Sequence, residues 1–386
     1  MSIGTVLLIV LCNMSSFRAS KVLVSLFAIE LDASQFVIGV MIAMYSLLPA
    51  LLALSVGKLT DRLGVRLPML IGSLGVTAGL LLPWMFESMA ALYASAALIG
   101  VSHMMANVSA QNLVGSLGAA EDRTRNFSNY ALVMAIGSFF GPLAGGISID
   151  YFGHARSYFY MAALPLVPVL LLAFAREVGR GPRVKSEEEQ AVLSTSLLAI
   201  PALRRTLIAS AMAVTGQDLF QFYMPIYGHS VGLSASAIGV VLGMFGVSAF
   251  FVRIGLPALV KRWGTDAVFN GSLYVSAVAF TLFPFFTGAV ALSLVALVCG
   301  LGMGCAQPVT LMLVFTRAPE GRSGEALGMR VTINQFTHIV VPILFGSIGS
   351  VLGVAPVFAV NALILAGGGW LNRDRKAPPR NADERR

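Results

Sequence analysis

Landmark residues in this chain recur at a constant separation of 200: Gly39 with Gly239, Arg62 with Arg262, Gly64 with Gly264, Gly100 with Gly300, Pro142 with Pro342, Gly146 with Gly346 and Gly153 with Gly353. Residues 1–175 and 204–372 therefore read as two copies of one module. Any fold for the chain has to accommodate two like halves, each contributing a wall to whatever lies between them.

The modules belong in lipid. Of the residues, 57% are hydrophobic and only 11% charged, whereas a soluble chain needs about a quarter charged residues to coat its surface. A helix crosses a hydrocarbon core of about 30 Å with about 20 residues. Apolar stretches of that order fall near 4–28, 36–57, 68–86, 89–115, 127–149, 157–175, 205–228, 235–257, 267–286, 288–313, 326–350 and 354–371, six to each half. The expected fold is an all-α membrane protein: an N-terminal six-helix bundle over 1–175, a cytoplasmic polar linker over 176–203, a second bundle over 204–372 and a basic cytoplasmic tail over 373–386. Two like bundles in a membrane are a common way to build a transporter, since a site at their interface can be opened to either side by rocking them.

Basic residues set the expected orientation, because loops rich in Lys and Arg stay cytoplasmic. Assigning alternate loops to one side, and counting Arg253 and Arg330 with them, places all of the 26 Lys and Arg except Arg18, Lys21 and Arg156 on one face. Both termini are then cytoplasmic, in a bacterial cytoplasmic or inner membrane. The net charge of +8 follows from topology and gives no reason to expect nucleic acid. Residues Met1 to Asn13 lack a basic n-region and a small-residue cleavage site, so they read as part of the first span. Cys12, Cys299 and Cys305 all fall in spans without metal-like clustering and read as packing residues. No cofactor or metal is expected.

After the second span the chain reads Gly57-Lys58-Leu59-Thr60-Asp61-Arg62-Leu63-Gly64-Val65-Arg66. This resembles the G-x-L-x-D-R-x-G-R-R signature of the major facilitator superfamily, with Val65 in place of one basic residue and a degraded second copy at Lys261, Arg262 and Gly264. The resemblance covers essentially the whole chain and implies twelve helices in two pseudo-symmetric bundles and solute transport by alternating access. It also implies a gate latch of Gly57, Asp61, Arg62, Gly64 and Arg66, with Asp61 accepting from the start of the eleventh helix in an outward-open state. Physically, Gly57 permits close helix approach and Asp61 suits a helix N-terminus; Lys58 and Arg66 also fit simple topology-setting charges. In the fifth span Gly137-Ser138-Phe139-Phe140-Gly141-Pro142-Leu143-Ala144-Gly145-Gly146 resembles the G-x-x-x-G-P-x-x-G-G motif of proton-coupled exporters in that superfamily. Gly137, Gly141, Gly145 and Gly146 allow tight packing and Pro142 removes a backbone donor, so the segment reads as a flexing seam between halves.

Polar residues inside the membrane are costly and usually face a cavity or a partner. Arg18 lies near the middle of the first span and Lys21 follows on the same face at i+3. Drug exporters of the superfamily often carry an acid there, so the charge is reversed here. A guanidinium fork suits carboxylate or phosphate, which favours an anionic or zwitterionic substrate. The alternative is that Arg18 neutralises Asp218 in the seventh span, flanked by Gln217 and Gln221, while Lys21 snorkels outward. Asn107 and Gln307 occupy matching positions of the two repeats and suit two walls of one site. Asn334, Gln335 and His338 extend the set from the eleventh span, and His103 from the fourth.

Proton coupling is the expected energy source, with Asp218 and His338 as carriers; sodium coupling stays open, and no G-x-x-x-x-G-K-[ST] loop for ATP occurs. No metalloprotease, nucleophile-elbow or paired-Asp pattern marks an enzyme. The expected partners are a small-molecule substrate, protons and lipid, with the chain a monomer. Export leads; proton-linked uptake of an organic anion, multidrug efflux and a transporter-like sensor are the alternatives.

Overall fold

The computed structural model describes residues 2–117, 122–174, 195–319 and 322–373, with backbone only for 53–63, 116, 122–124, 195–196 and 323–324. Among these residues twelve long helices alternate in direction: α1 (Ile3–Glu30), α2 (Gln35–Leu63), α3 (Arg66–Met85), α4 (Met89–Ser116), α5 (Asp122–Phe152), α6 (His154–Phe174), α7 (Pro201–Ser230), α8 (Ala235–Trp263), α9 (Thr265–Leu282), α10 (Ala289–Arg317), α11 (Ser323–Leu352) and α12 (Val354–Leu371). A helical turn, Thr195–Leu198, precedes α7, and a 3-10 turn, Phe283–Phe285, follows α9.

Each expected span falls on one of these helices to within a residue, except that 267–286 runs past α9 through the 3-10 turn, and several helices outrun the apolar stretch. Helix α2 continues to Leu63, and α5 starts at Asp122, because a helix propagates through polar residues once it is nucleated. Helix α7 begins at Pro201, a residue suited to a first helical turn, so its start lies inside the stretch expected to be linker. Residue 175 of the first bundle, residues 176–194 of that linker and 374–386 of the tail lie outside the described residues. Arg253 and Arg330, counted above with the loops, sit inside α8 and α11.

Eleven of the helices have the length and composition to cross a membrane on their own. Helix α7 falls short because it carries Gln217, Asp218 and Gln221, and those residues turn out to face the interior. Large apolar side chains such as Ile71, Leu170, Val278, Leu294 and Leu363 are exposed on the outside of the bundle, a surface that suits lipid and not water.

The repeat is visible in backbone detail. Ser34 and Ser234 cap α2 and α8 in the same way, each Oγ accepting from the amide three residues on. Gly64, Gly153, Gly264 and Gly353 all adopt positive φ just past a helix end, where a Cβ would be strained.

Calling the side on which α1 starts and α12 ends the terminal face, the halves meet near the opposite face. There α5 packs along α8 and α2 along α11. A Cβ on Gly239 would stand 2.6 Å from the carbonyl of Pro142, and one on Gly346 would stand 2.8 Å from that of Gln35. Gly39 against the carbonyl of Pro342 and Gly146 against that of Ala235 are closer still. Gly39, Gly146, Gly239 and Gly346, with Pro142 and Pro342, are thus contact points between the halves. One core runs through both, joining Phe27, Ile38 and Tyr158 to Tyr223, Ile238 and Phe358. Toward the terminal face the N-terminal half has a separate core around Val6, Ile9 and Leu113, and a third cluster gathers Leu203, Leu207 and Met329. The bundle is therefore fused at one face and divided at the other.

Candidate functional site

Where the halves divide, a cavity of about 500 Å³ opens between them. It is walled by Phe17, Arg18 and Lys21 of α1, Tyr45 of α2, His103 and Asn107 of α4, Gln217, Asp218 and Gln221 of α7, Phe250 and Arg253 of α8, Gln307 of α10, and Gln335 and His338 of α11. Of the substrate-binding candidates, Arg18, Lys21, Asn107, Gln217, Asp218, Gln221, Gln307, Gln335 and His338 line it. Asn334 does not: one residue before Gln335 it points about 100° away, and its Oδ1 accepts from Ser210 at 3.5 Å.

Arg18 owes its place to the glycine motif of α5. Along one face of that helix, Gly137 lies against Met14, Gly141 against Ser15 and the Cβ of Arg18, and Gly145 against Ala19. Any side chain at Gly141 would meet the Ser15 carbonyl at 2.5 Å. On the adjoining face Pro142 and Gly146 touch α8. One motif therefore seats the charged turn of α1 and also forms the seam between halves, and α5 runs through Pro142 as a single helix.

Arg18 and Asp218 do not pair. Arg18 Nη1 donates to Gln221 Oε1 across the halves at 2.6 Å, and Arg18 Nε has no hydrogen-bond partner. Asp218 Oδ2 instead lies 2.6 Å from His338 Nδ1, within the C-terminal half. Lys21 does not snorkel outward: its ammonium stands 5.1 Å from the Phe17 ring centre and 5.6 Å from that of Tyr45, a cation–π arrangement. Phe17 stacks flat on His103 with ring centres 4.0 Å apart, and the Tyr45 hydroxyl donates to Ser20 Oγ at 3.1 Å. The repeat-related pair are engaged differently, Asn107 Oδ1 accepting from the Tyr130 hydroxyl at 2.5 Å and Gln307 Nε2 donating to Gln217 Oε1 at 3.4 Å.

Four of these wall residues, Phe17, Tyr45, Phe250 and Arg253, escaped the sequence reading. Arg253, whose Nε donates to the Gly304 carbonyl at 3.2 Å, had a signal in its place inside an apolar run. The three aromatics had none, since an aromatic facing a cavity and one facing a core look alike in sequence. Asp150 was also missed. It ends α5 at the fused face and accepts from the Ala235 and Ser236 amides, both at 2.9 Å, capping the start of α8 across the halves.

The remaining gating candidates lie elsewhere. Gly57, Asp61 and Arg62 fall in the last turns of α2, where only backbone is described. Gly64 ends that helix. Arg66 donates Nε to the Leu172 carbonyl at 2.9 Å and Nη2 to that of Ala173 at 3.1 Å, tying α3 to the end of α6. Cations suit that position, and the contact holds one half together without touching the other.

Residues 6–342 match the family described as Major Facilitator Superfamily. The chain is 24% identical over 318 residues to the tetracycline resistance protein, class H, of Pasteurella multocida, covering 81% of this chain and 79% of that one. It is 23% identical over 363 residues to the multidrug efflux pump LfrA of Mycolicibacterium smegmatis, covering 79% and 71%. Among solved structures, the nucleoside transporter NupG superposes with a TM-score of 0.79 at 16% identity, covering 96% of this chain and 98% of that one; at that identity the likeness is one of fold. A repeated twelve-helix bundle fused at one face, a polar cavity at the division and a family match over most of the chain lead to one conclusion: this multi-pass membrane protein belongs to the major facilitator superfamily and is a transporter.

Proposed function

We propose that the protein exports a small organic anion or zwitterion by proton-coupled alternating access across a bacterial inner membrane, with its termini in the cytoplasm. The observation that carries the reading is that Arg18 and Lys21 face the cavity and, among the described residues, have no carboxylate at ion-pair distance, while Asp218, also in the cavity wall, is held by His338. A buried cation without a counter-ion is costly, and an arriving carboxylate or phosphate offsets that cost.

The direction draws support from relatives named for tetracycline resistance and multidrug efflux. Helices fused near the face opposite the termini fit the cytoplasm-facing limb of an alternating-access cycle. Proton coupling draws support from the place of the Asp218–His338 pair. It borders the main cavity on one side and, with Lys21 and Pro342, a pocket of about 20 Å³ on the other, room for about one water. A pair so placed can pass a proton from one compartment to the other as the seam opens.

Reconstitution into liposomes with an imposed pH gradient tests the reading. Anionic substrate should move against its gradient, opposite to the proton flow. Substrate moving with the protons would make the protein an importer, and accumulation of cationic compounds alone would return it to the multidrug class.

A further inference from the structure

Charge around the cavity does not balance, and the imbalance has a shape. Arg18 and Lys21 of the N-terminal half and Arg253 of the C-terminal half all line it, and among the described residues none has a carboxylate at ion-pair distance. Against these three cations stands, among the described residues lining the cavity, one acid, Asp218, already bonded to His338. A single negative charge on the substrate leaves cations uncompensated in a site walled by lipid-embedded helices, which is unfavourable. Two charges come closer to neutrality.

The cations are also spread out. Counting from the fused face at 1.5 Å per residue, Arg18 lies roughly 18 Å deep, as α1 ends at Glu30, and Arg253 roughly 27 Å deep, as α8 begins at Ala235. They come from opposite halves. Arg253 is anchored by its Nε to Gly304, leaving its terminal nitrogens for the cavity, and Arg18 keeps an unpartnered Nε. Phe17, stacked flat on His103, lines the same cavity.

We infer that the transported solute is a dianion with its two acidic groups at opposite ends, one met by Arg18 and Lys21 and the other by Arg253, so that it bridges the two halves. The inference rests on the anion reading above and adds to it the number and separation of charges. Guanidinium groups favour planar carboxylates through paired hydrogen bonds, so linear and aromatic dicarboxylates are the apt probes. A bridging ligand ties the halves together through its own charges, which couples its binding to the relative position of the halves.

The test is ligand-dependent thermal stabilisation of the detergent-purified full chain. Adipate, pimelate and terephthalate are compared with hexanoate, heptanoate and benzoate on wild type, R253Q and R18Q. Wild type should bind each diacid at least tenfold more tightly than its monoacid, R253Q should erase that advantage while keeping monoacid binding, and R18Q should weaken both. Equal binding of diacids and monoacids by wild type overturns the two-ended site while leaving the anion reading intact, and so does an undiminished advantage in R253Q. Stabilisation by cationic or neutral compounds alone, unaffected by R18Q, overturns the anion reading itself. Should R253Q not fold, the wild-type comparison decides alone, and R253K should retain the diacid preference.

Discussion

His338 Nδ1 and Asp218 Oδ2 lie 2.6 Å apart, joining α11 to α7 beside the cavity. The contact removes the one acid in the cavity wall from Arg18 and leaves a titratable pair between the main cavity and the small pocket near the seam. If the pair carries the coupled proton, Asp218→Asn should reduce transport driven by a pH gradient to background. Substrate-for-substrate exchange at equal pH, which needs no net proton movement, should persist. Loss of both in folded protein would assign Asp218 to substrate binding instead.

Arg18→Gln removes a charge-assisted donor from the cavity and should weaken anion binding by about 1.5–3 kcal/mol. Titration calorimetry with a bound anion measures it. Unchanged affinity would make Arg18 a structural tie to Gln221 only.

The seam tolerates little. A Cβ at Gly239 would stand 2.6 Å from the Pro142 carbonyl and 3.0 Å from the Leu143 Cα, both backbone atoms that cannot swing aside. Gly239→Val should therefore part α5 from α8 and expose the fused face. A cysteine at Ser236 should then react with a membrane-impermeant maleimide much faster than in the parent. Unaltered labelling would show that the seam accommodates the side chain.

By contrast, Gly271 in α9 has no atom within 4 Å of a would-be Cβ. Replacing a mid-helix glycine by alanine stabilises by about 0.5–1 kcal/mol when space allows. Gly271→Ala should raise the melting temperature and leave transport unchanged, which makes it the control for the seam variants.

Asp150 contributes two hydrogen bonds to the first turn of α8 from the other half. Asp150→Ala removes a helix cap worth about 0.5–2 kcal/mol in the fused-face contact alone. Maleimide labelling at Ser236 should rise, less than in Gly239→Val. No rise would mean that the glycine and proline contacts hold that face unaided.

Much of the architecture was legible in the chain because lipid leaves few options. A span must be apolar and about 20 residues long, so Ile3–Glu30 and Met89–Ser116 could be read from the chain. Helix ends were less legible: at α2 and α5 the polar residues beyond the hydrocarbon look like loop but remain helix. Nine cavity residues were found because polar groups within apolar spans are rare, and Asn334 was misplaced because neighbouring polar residues on one helix point in different directions. Arg253 was lost to the rule that basic residues mark loops.

The chain by itself determined a duplicated bundle of membrane helices with a charged first helix, since spacing, apolar length and the cost of charge in lipid are all local or periodic properties. Which partners those charges take was decided only in three dimensions. Asp218 meets His338 and not Arg18, Arg18 meets Gln221, and Arg253 joins the cavity, because each depends on the rotation of one helix against another about 8–10 Å away. That rotation is fixed by close contacts such as Gly141 on Ser15 and Gly239 on Pro142, which form only when residues far apart in sequence pack together.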